Sequence, residues 1–140
     1  MTSFDDIVAD FDFLDDWDDR YKYLIDLGRA LPEFPDHARN ETYKVKGCAS
    51  QVWLLPSKDG EGSSATLTFQ GDSDAHIVKG LVAVLLALFS GRSAKEIAAL
   101  DTSKALGPLD LGGHLTPQRS NGLASMIAKI QDVARDSSES

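Results

Sequence analysis

The chain has 140 residues, 42% of them hydrophobic, and a net charge of −8, which supplies one hydrophobic core and leaves no length for a second domain. Its longest apolar run, the nine residues Leu81 to Phe89, is less than half of what a bilayer-spanning helix needs, and its start is acidic rather than a basic stretch leading into an apolar signal segment, so a cytoplasmic address without membrane contact is expected. Eight aspartates and Arg20 give residues 1–20 a charge of −7 and leave −1 for everything after them, an imbalance that speaks against nucleic acid as a partner, because phosphate backbones are held by clustered Lys and Arg.

From the N-terminus, Ser3 ahead of Asp6 forms a helix N-cap pattern, and Phe4, Ile7, Val8, Phe11 and Leu14 recur at helical spacing, predicting an acidic amphipathic helix over about 3–14. Its aspartates serve either as a solvated face or as a means of steering toward a basic patch on a partner. A second helix is predicted from about Asp16 to Leu31, with Trp17, Tyr21, Leu24 and Ile25 on one side and Pro32 ending it. From Glu41 the period changes to two, predicting strands at Glu41–Lys46, Gln51–Leu55 and Ala65–Gln70. The last two flank Ser57–Gly62, whose Asp-Gly pair suits a hairpin and whose length is too short for a parallel crossover. After Gly71 the pattern returns to helical. Ser73 or Asp74 would cap a central helix over 74–90 that is apolar nearly all round and stopped by Gly91. Ser93 and Glu96 form a capping box for a short helix reaching Leu100, Lys104 to Gly113 is irregular, and Thr116-Pro117 opens a last helix that frays at about 136–140. The resulting expectation is a single α+β domain over 1–140, with a small three-stranded antiparallel sheet from residues 41–70 packed against helices.

The chemistry centres on Cys48, the only cysteine. One thiol cannot close an intramolecular disulfide or supply a four-cysteine zinc site or an iron–sulfur cluster, which leaves a nucleophile or an inert core residue. Gly47 before it and Ser50-Gln51 after it read as a loop, and Lys44 and Lys46 are near enough in sequence to favour a thiolate. Three chemistries fit. Cys48 as a sulfur carrier would attack the outer sulfur of a donor persulfide, a reaction that needs no resolving cysteine. Cys48 as a hydrolase nucleophile would use His37, His76 or His114 as base, although none of these lies in a motif with it. A metal or cluster scaffold has only one soft ligand to draw on.

Three blocks carry a resemblance: Gly47-Cys48-Ala49-Ser50-Gln51-Val52-Trp53; Gly71-Asp72-Ser73-Asp74-Ala75 running into Ile77-Val78-Lys79-Gly80-Leu81; and His114-Leu115-Thr116-Pro117 with Arg119-Ser120 and Gly122-Leu123. In this order, over roughly residues 15–132, they resemble the signature blocks of the SufE family, with its relative CsdE. The resemblance implies the fold shared with the IscU/NifU scaffolds and a role in which Cys48 accepts persulfide sulfur from a cysteine desulfurase of the SufS/CsdA kind. It further implies stimulation of that enzyme and delivery of the sulfur to a downstream iron–sulfur scaffold. The protein would then have no independent enzyme activity and no cofactor of its own, the pyridoxal phosphate being the partner's. Scaffolds of that fold carry three cysteines, whereas one cysteine implies a carrier.

The remaining candidates are Gly47, Ser50, Gln51, Asp72, Asp74, His114 and Arg119, as loop and partner-binding residues. Gly47 is either turn geometry or a hinge. Asp72 and Asp74 either cap the central helix or stand beside the cysteine loop. His114 and Arg119 are expected near that loop, and an arginine in the first turn of a helix, against the dipole, calls for an explanation. The sequence leaves homodimerisation open.

Overall fold

The computed structural model describes residues 2–139. Two helices come first, α1 (Phe4–Phe13) and α2 (Trp17–Arg29), each begun by the side chain of an N-cap residue, Ser3 to the Asp6 N–H and Asp16 to the Asp18 N–H. The strands are β1 (Val52–Asp59), β2 (Thr66–Ser73) and β3 (Arg92–Ser93), in the order β1-β2-β3 and antiparallel throughout. Helix α3 (His76–Phe89) lies between β2 and β3 in sequence, followed by α4 (Ala94–Ala99), α5 (Thr102–Leu106) and α6 (Pro117–Glu139).

The α+β class and the three-stranded antiparallel sheet are as expected, but one strand is not. Glu41–Lys46 is a turn that touches the sheet at a single bridge, Lys44 to Trp53. Asn40 causes this: its side-chain oxygen accepts the N–H groups of Thr42 at 2.9 Å and Tyr43 at 3.4 Å, which curls the backbone where a strand would have to extend it. The third strand is instead Arg92–Ser93, which follows Gly91 at φ +90° and pairs with Leu67 and Thr66. The last helix also differs from expectation, since it continues through Glu139 where fraying is predicted from 136; Ser140 lies outside the described residues.

The core forms around α3, where ten residues from Val78 to Phe89 are buried. It collects Val52 and Leu54 from β1, Leu67 and Phe69 from β2, Leu24 from α2, and Met126, Ile130 and Ala134 from α6. Helices α2 and α3 approach to backbone contact at Gly80, where an added methyl group would lie 2.2 Å from the carbonyl oxygen of Leu24. The cysteine turn sits where α3 and α6 come together, with Val78 of α3 and Gly122 and Met126 of α6 facing it.

Candidate functional site

Cys48 is half-buried on the turn between the Lys44 bridge and β1. The turn starts at Gly47, whose φ of +89° favours glycine and whose Cα faces α6 so closely that a methyl group there would stand 2.5 Å from Ser125 Oγ. It ends at Gln51, held at two points by Asp74: the Gln51 N–H donates to the Asp74 carboxylate at 3.0 Å, and the Asp74 N–H donates to the Gln51 carbonyl at 3.2 Å. Between these ends the Cys48 thiol lies 3.6 Å from the carbonyl oxygen of Gly122, toward which it donates.

The thiol faces a cavity of about 30 Å³ lined by Ala49 and Ser50 of the turn, Val78 of α3, and Gln118, Arg119, Gly122 and Met126 of α6. That is room for about two water-sized groups, at roughly 10–15 Å³ each. Burial in these surroundings pushes the thiol pKa up. The sequence-based expectation of a thiolate favoured by Lys44 and Lys46 is therefore corrected. Both lysines turn to Glu41, Lys46 in a close ion pair and Lys44 at 4.0 Å, and neither lines the cavity that the thiol faces.

The other candidates separate into two groups. Gly47, Ser50, Gln51 and Asp74 build the turn, and Arg119 lines the cavity without an ion pair among the described residues. The first turn of α6 thus brings the Arg119 side chain to the cavity that Cys48 also lines. Asp74 does not cap α3, whose N-cap position is Ala75 with no side-chain cap, because Asp74 is engaged by Gln51 and the Ser73 hydroxyl accepts the Ala75 N–H at 3.2 Å.

Asp72 and His114 fall outside the cavity lining. Asp72 is buried and takes hydrogen bonds from Arg39 at 2.9 and 3.1 Å and an ion pair from Lys79 at 3.3 Å. Burial alone would raise its pKa, but Arg39, the Ser73 N–H and Lys79 together outweigh burial and hold it below the usual carboxylate range. It ties the segment before the turn to β2 and α3. The His114 ring stacks on Trp17 at 4.0 Å and 15° and pairs with Asp110 at 3.4 Å, while its carbonyl accepts the Tyr21 hydroxyl. Its place is the junction of α2 with the approach to α6, contrary to the expectation that it stands with Arg119 at the loop.

Sequence reasoning missed Val78, Gln118 and Met126 as lining residues. A signal for two of them exists, since Gln118, Gly122 and Met126 recur every four residues and so share one face of a helix with Arg119. No histidine lines the cavity, and no group of three or more His, Cys, Asp or Glu able to hold a metal occurs among the described residues. Neither the hydrolase nor the scaffold reading gains support from this geometry.

Fold and site together define a small α+β protein with one half-buried thiol lining a cavity. The SufE model, described as an Fe-S metabolism associated domain, matches residues 5–134. Two relatives are similar along nearly their whole length: an uncharacterized SufE-like protein of Rhizobium meliloti, 53% identical over 134 residues (96% of each chain), and one of Rhizobium etli, 52% identical over 135 residues (96% of this chain and 91% of the relative). The fold is similar to the solution structure of a hypothetical protein from Thermus thermophilus, with a TM-score of 0.70 at 22% identity, covering 98% of this chain and 96% of that one. The chain belongs to the SufE family, which associates it with iron–sulfur metabolism.

Proposed function

We propose that the protein is a sulfur acceptor and carrier: Cys48 takes persulfide sulfur from a pyridoxal-phosphate-dependent cysteine desulfurase, stimulates that enzyme by clearing its product, and delivers the sulfur to a downstream scaffold for iron–sulfur cluster assembly in the cytoplasm. The observation that carries this reading is a lone, half-buried thiol facing a cavity of about 30 Å³ with neither histidine nor a second cysteine in its lining. A hydrolase would need a base there. A second thiol would discharge a persulfide into a disulfide.

The transfer balances without an external oxidant. The Cys48 sulfur attacks the outer sulfur of the donor's persulfide, a new S–S bond forms to Cys48 as the donor's S–S bond breaks, and the donor cysteine leaves with the electron pair and takes up the proton that Cys48 gives up. Attack requires the thiolate, which burial disfavours at rest. The turn therefore moves out of the cavity on meeting the donor, pivoting at Gly47 and releasing Gln51 from Asp74, and the exposed thiol returns toward its ordinary pKa, about 8.5. Once loaded, the turn folds back, and the outer sulfur occupies the cavity beside the Arg119 cation, away from small thiols.

The test is to incubate the protein with a cysteine desulfurase from the same genome and with cysteine, and to read intact mass. The expected result is the mass of added sulfur on the wild-type chain and none on Cys48→Ser, which stays folded. Sulfur persisting on that variant, or no sulfur on the wild type, would overturn the reading.

A further inference from the structure

A second groove lies on the other side of the cysteine turn. Lys44 and Lys46, from the segment leading into Gly47, face Ser125, Lys129 and Asp132 of α6 across a groove of about 240 Å³. Gly47 packs against Ser125, so the groove and the cysteine turn form one continuous surface. Cations are in excess there. Lys44 and Lys46 share the single carboxylate of Glu41, Asp132 is paired with Arg135 at 2.9 Å, and Lys129 has no ion pair among the described residues. Four positive groups against two negative ones leave a local surplus of two on a chain whose net charge is −8. Lys46, paired with Glu41, still keeps its side chain 71% exposed.

We propose that this groove docks an acidic surface segment of the protein that hands sulfur to Cys48; the proposal rests on the sulfur-acceptor reading. Any protein that reaches Cys48 must cover the adjoining surface, and the groove, joined to the turn at Gly47 and Ser125, is part of it. Exposed lysines contribute little to standing affinity but act on encounter. The acidic residues 5–19 repel an acidic donor in most orientations, whereas the groove attracts it in the one that brings Cys48 forward. A second copy of this chain, offering its own residues 5–19, is the rival occupant. It would cover the thiol that a carrier has to present.

The experiment compares wild type with Lys46→Glu/Lys129→Glu and with Lys46→Arg/Lys129→Arg. Loading of Cys48 by the desulfurase and cysteine is followed by intact mass at low and at high salt, with alkylation by iodoacetamide, a neutral reagent, as control. The expected outcome is loading about tenfold slower for the glutamate variant at low salt, a gap that closes in high salt, wild-type loading for the arginine variant, and equal alkylation for all three. Equal loading of wild type and the glutamate variant at low salt would overturn the docking proposal and leave the acceptor reading intact. A glutamate variant that loads normally but loses self-association in sedimentation would identify the second copy as occupant and overturn it too. Wild type that accepts no sulfur would overturn both readings.

Discussion

Cys48 combines two demands that oppose each other in one side chain. Shelter raises the thiol pKa and lowers reactivity, and the proposed sulfur transfer needs the reverse. A rigid turn cannot satisfy both, so the residue that matters most for the compromise is Gly47. At φ +89° it holds a conformation that costs an L-residue about 1–2 kcal/mol, and a methyl group there would meet Ser125 Oγ at 2.5 Å. Replacement by alanine should cost about 2–3 kcal/mol in all, counting the displacement of Ser125. Urea denaturation of Gly47→Ala beside wild type measures it. A loss under about 0.5 kcal/mol, within the range of an ordinary surface change, would mean that the turn relaxes freely into another conformation.

Among the elements, what the sequence made legible was whatever is decided locally. The Ser93–Glu96 capping box forms as read, Thr116 accepts the Arg119 N–H at 3.3 Å ahead of Pro117, and the hairpin carries positive φ at Gly60 and Gly62. Errors arose where a side-chain hydrogen bond overrides the alternation or a distant partner decides. Tyr43 and Val45 alternate like a strand, but the Asn40 side chain claims the neighbouring amides; Arg92–Ser93 is too short to show any period and becomes a strand because β2 offers it an edge. The site follows the same division. Cys48 and its loop were legible as a motif, whereas the assignment of Asp74 to Gln51 rather than to the helix depends on where the hairpin ends. That contact joins the end of the turn to the start of α3, and it is the point at which the proposed opening would release the turn. Asp74→Ala should remove a charged hydrogen bond worth about 1–2 kcal/mol, shift the turn toward its open form, and speed iodoacetamide labelling of Cys48 by roughly 5–30-fold at neutral pH. Unchanged labelling would show that Gly122 and the cavity walls alone retain the thiol.

At the scale of the whole molecule, the titrating groups set a pH window for stability. Asp72 joins Arg39, β2 and α3, and its carboxyl is held below the usual range. A lowered carboxyl contributes stability fully above its unfolded value, about 3.9, and loses it as pH falls through the folded value. Glu41 beside Lys46 and Glu96 in its capping box shift the same way. Cys48 and Tyr23 are raised, first by burial and, for Tyr23, then by Asp10. Their contribution is therefore complete below the unfolded values, about 8.5 for the thiol and 10 for the phenol, and is lost as pH rises through the folded ones. Stability should thus form a plateau between the carboxylate range and the thiol range and fall on both sides. The two limbs are separable by substitution. Asp72→Asn should be less stable than wild type on the plateau, with the gap shrinking toward acid because the wild type there loses the same ion pairs; Cys48→Ser should leave the acid limb unchanged and delay the first alkaline loss. Urea midpoints at a series of pH values for the three proteins test this. A gap between wild type and Asp72→Asn that stays constant from neutral pH into the acid range would mean that Asp72 supports the fold by shape and hydrogen bonding rather than by its charge.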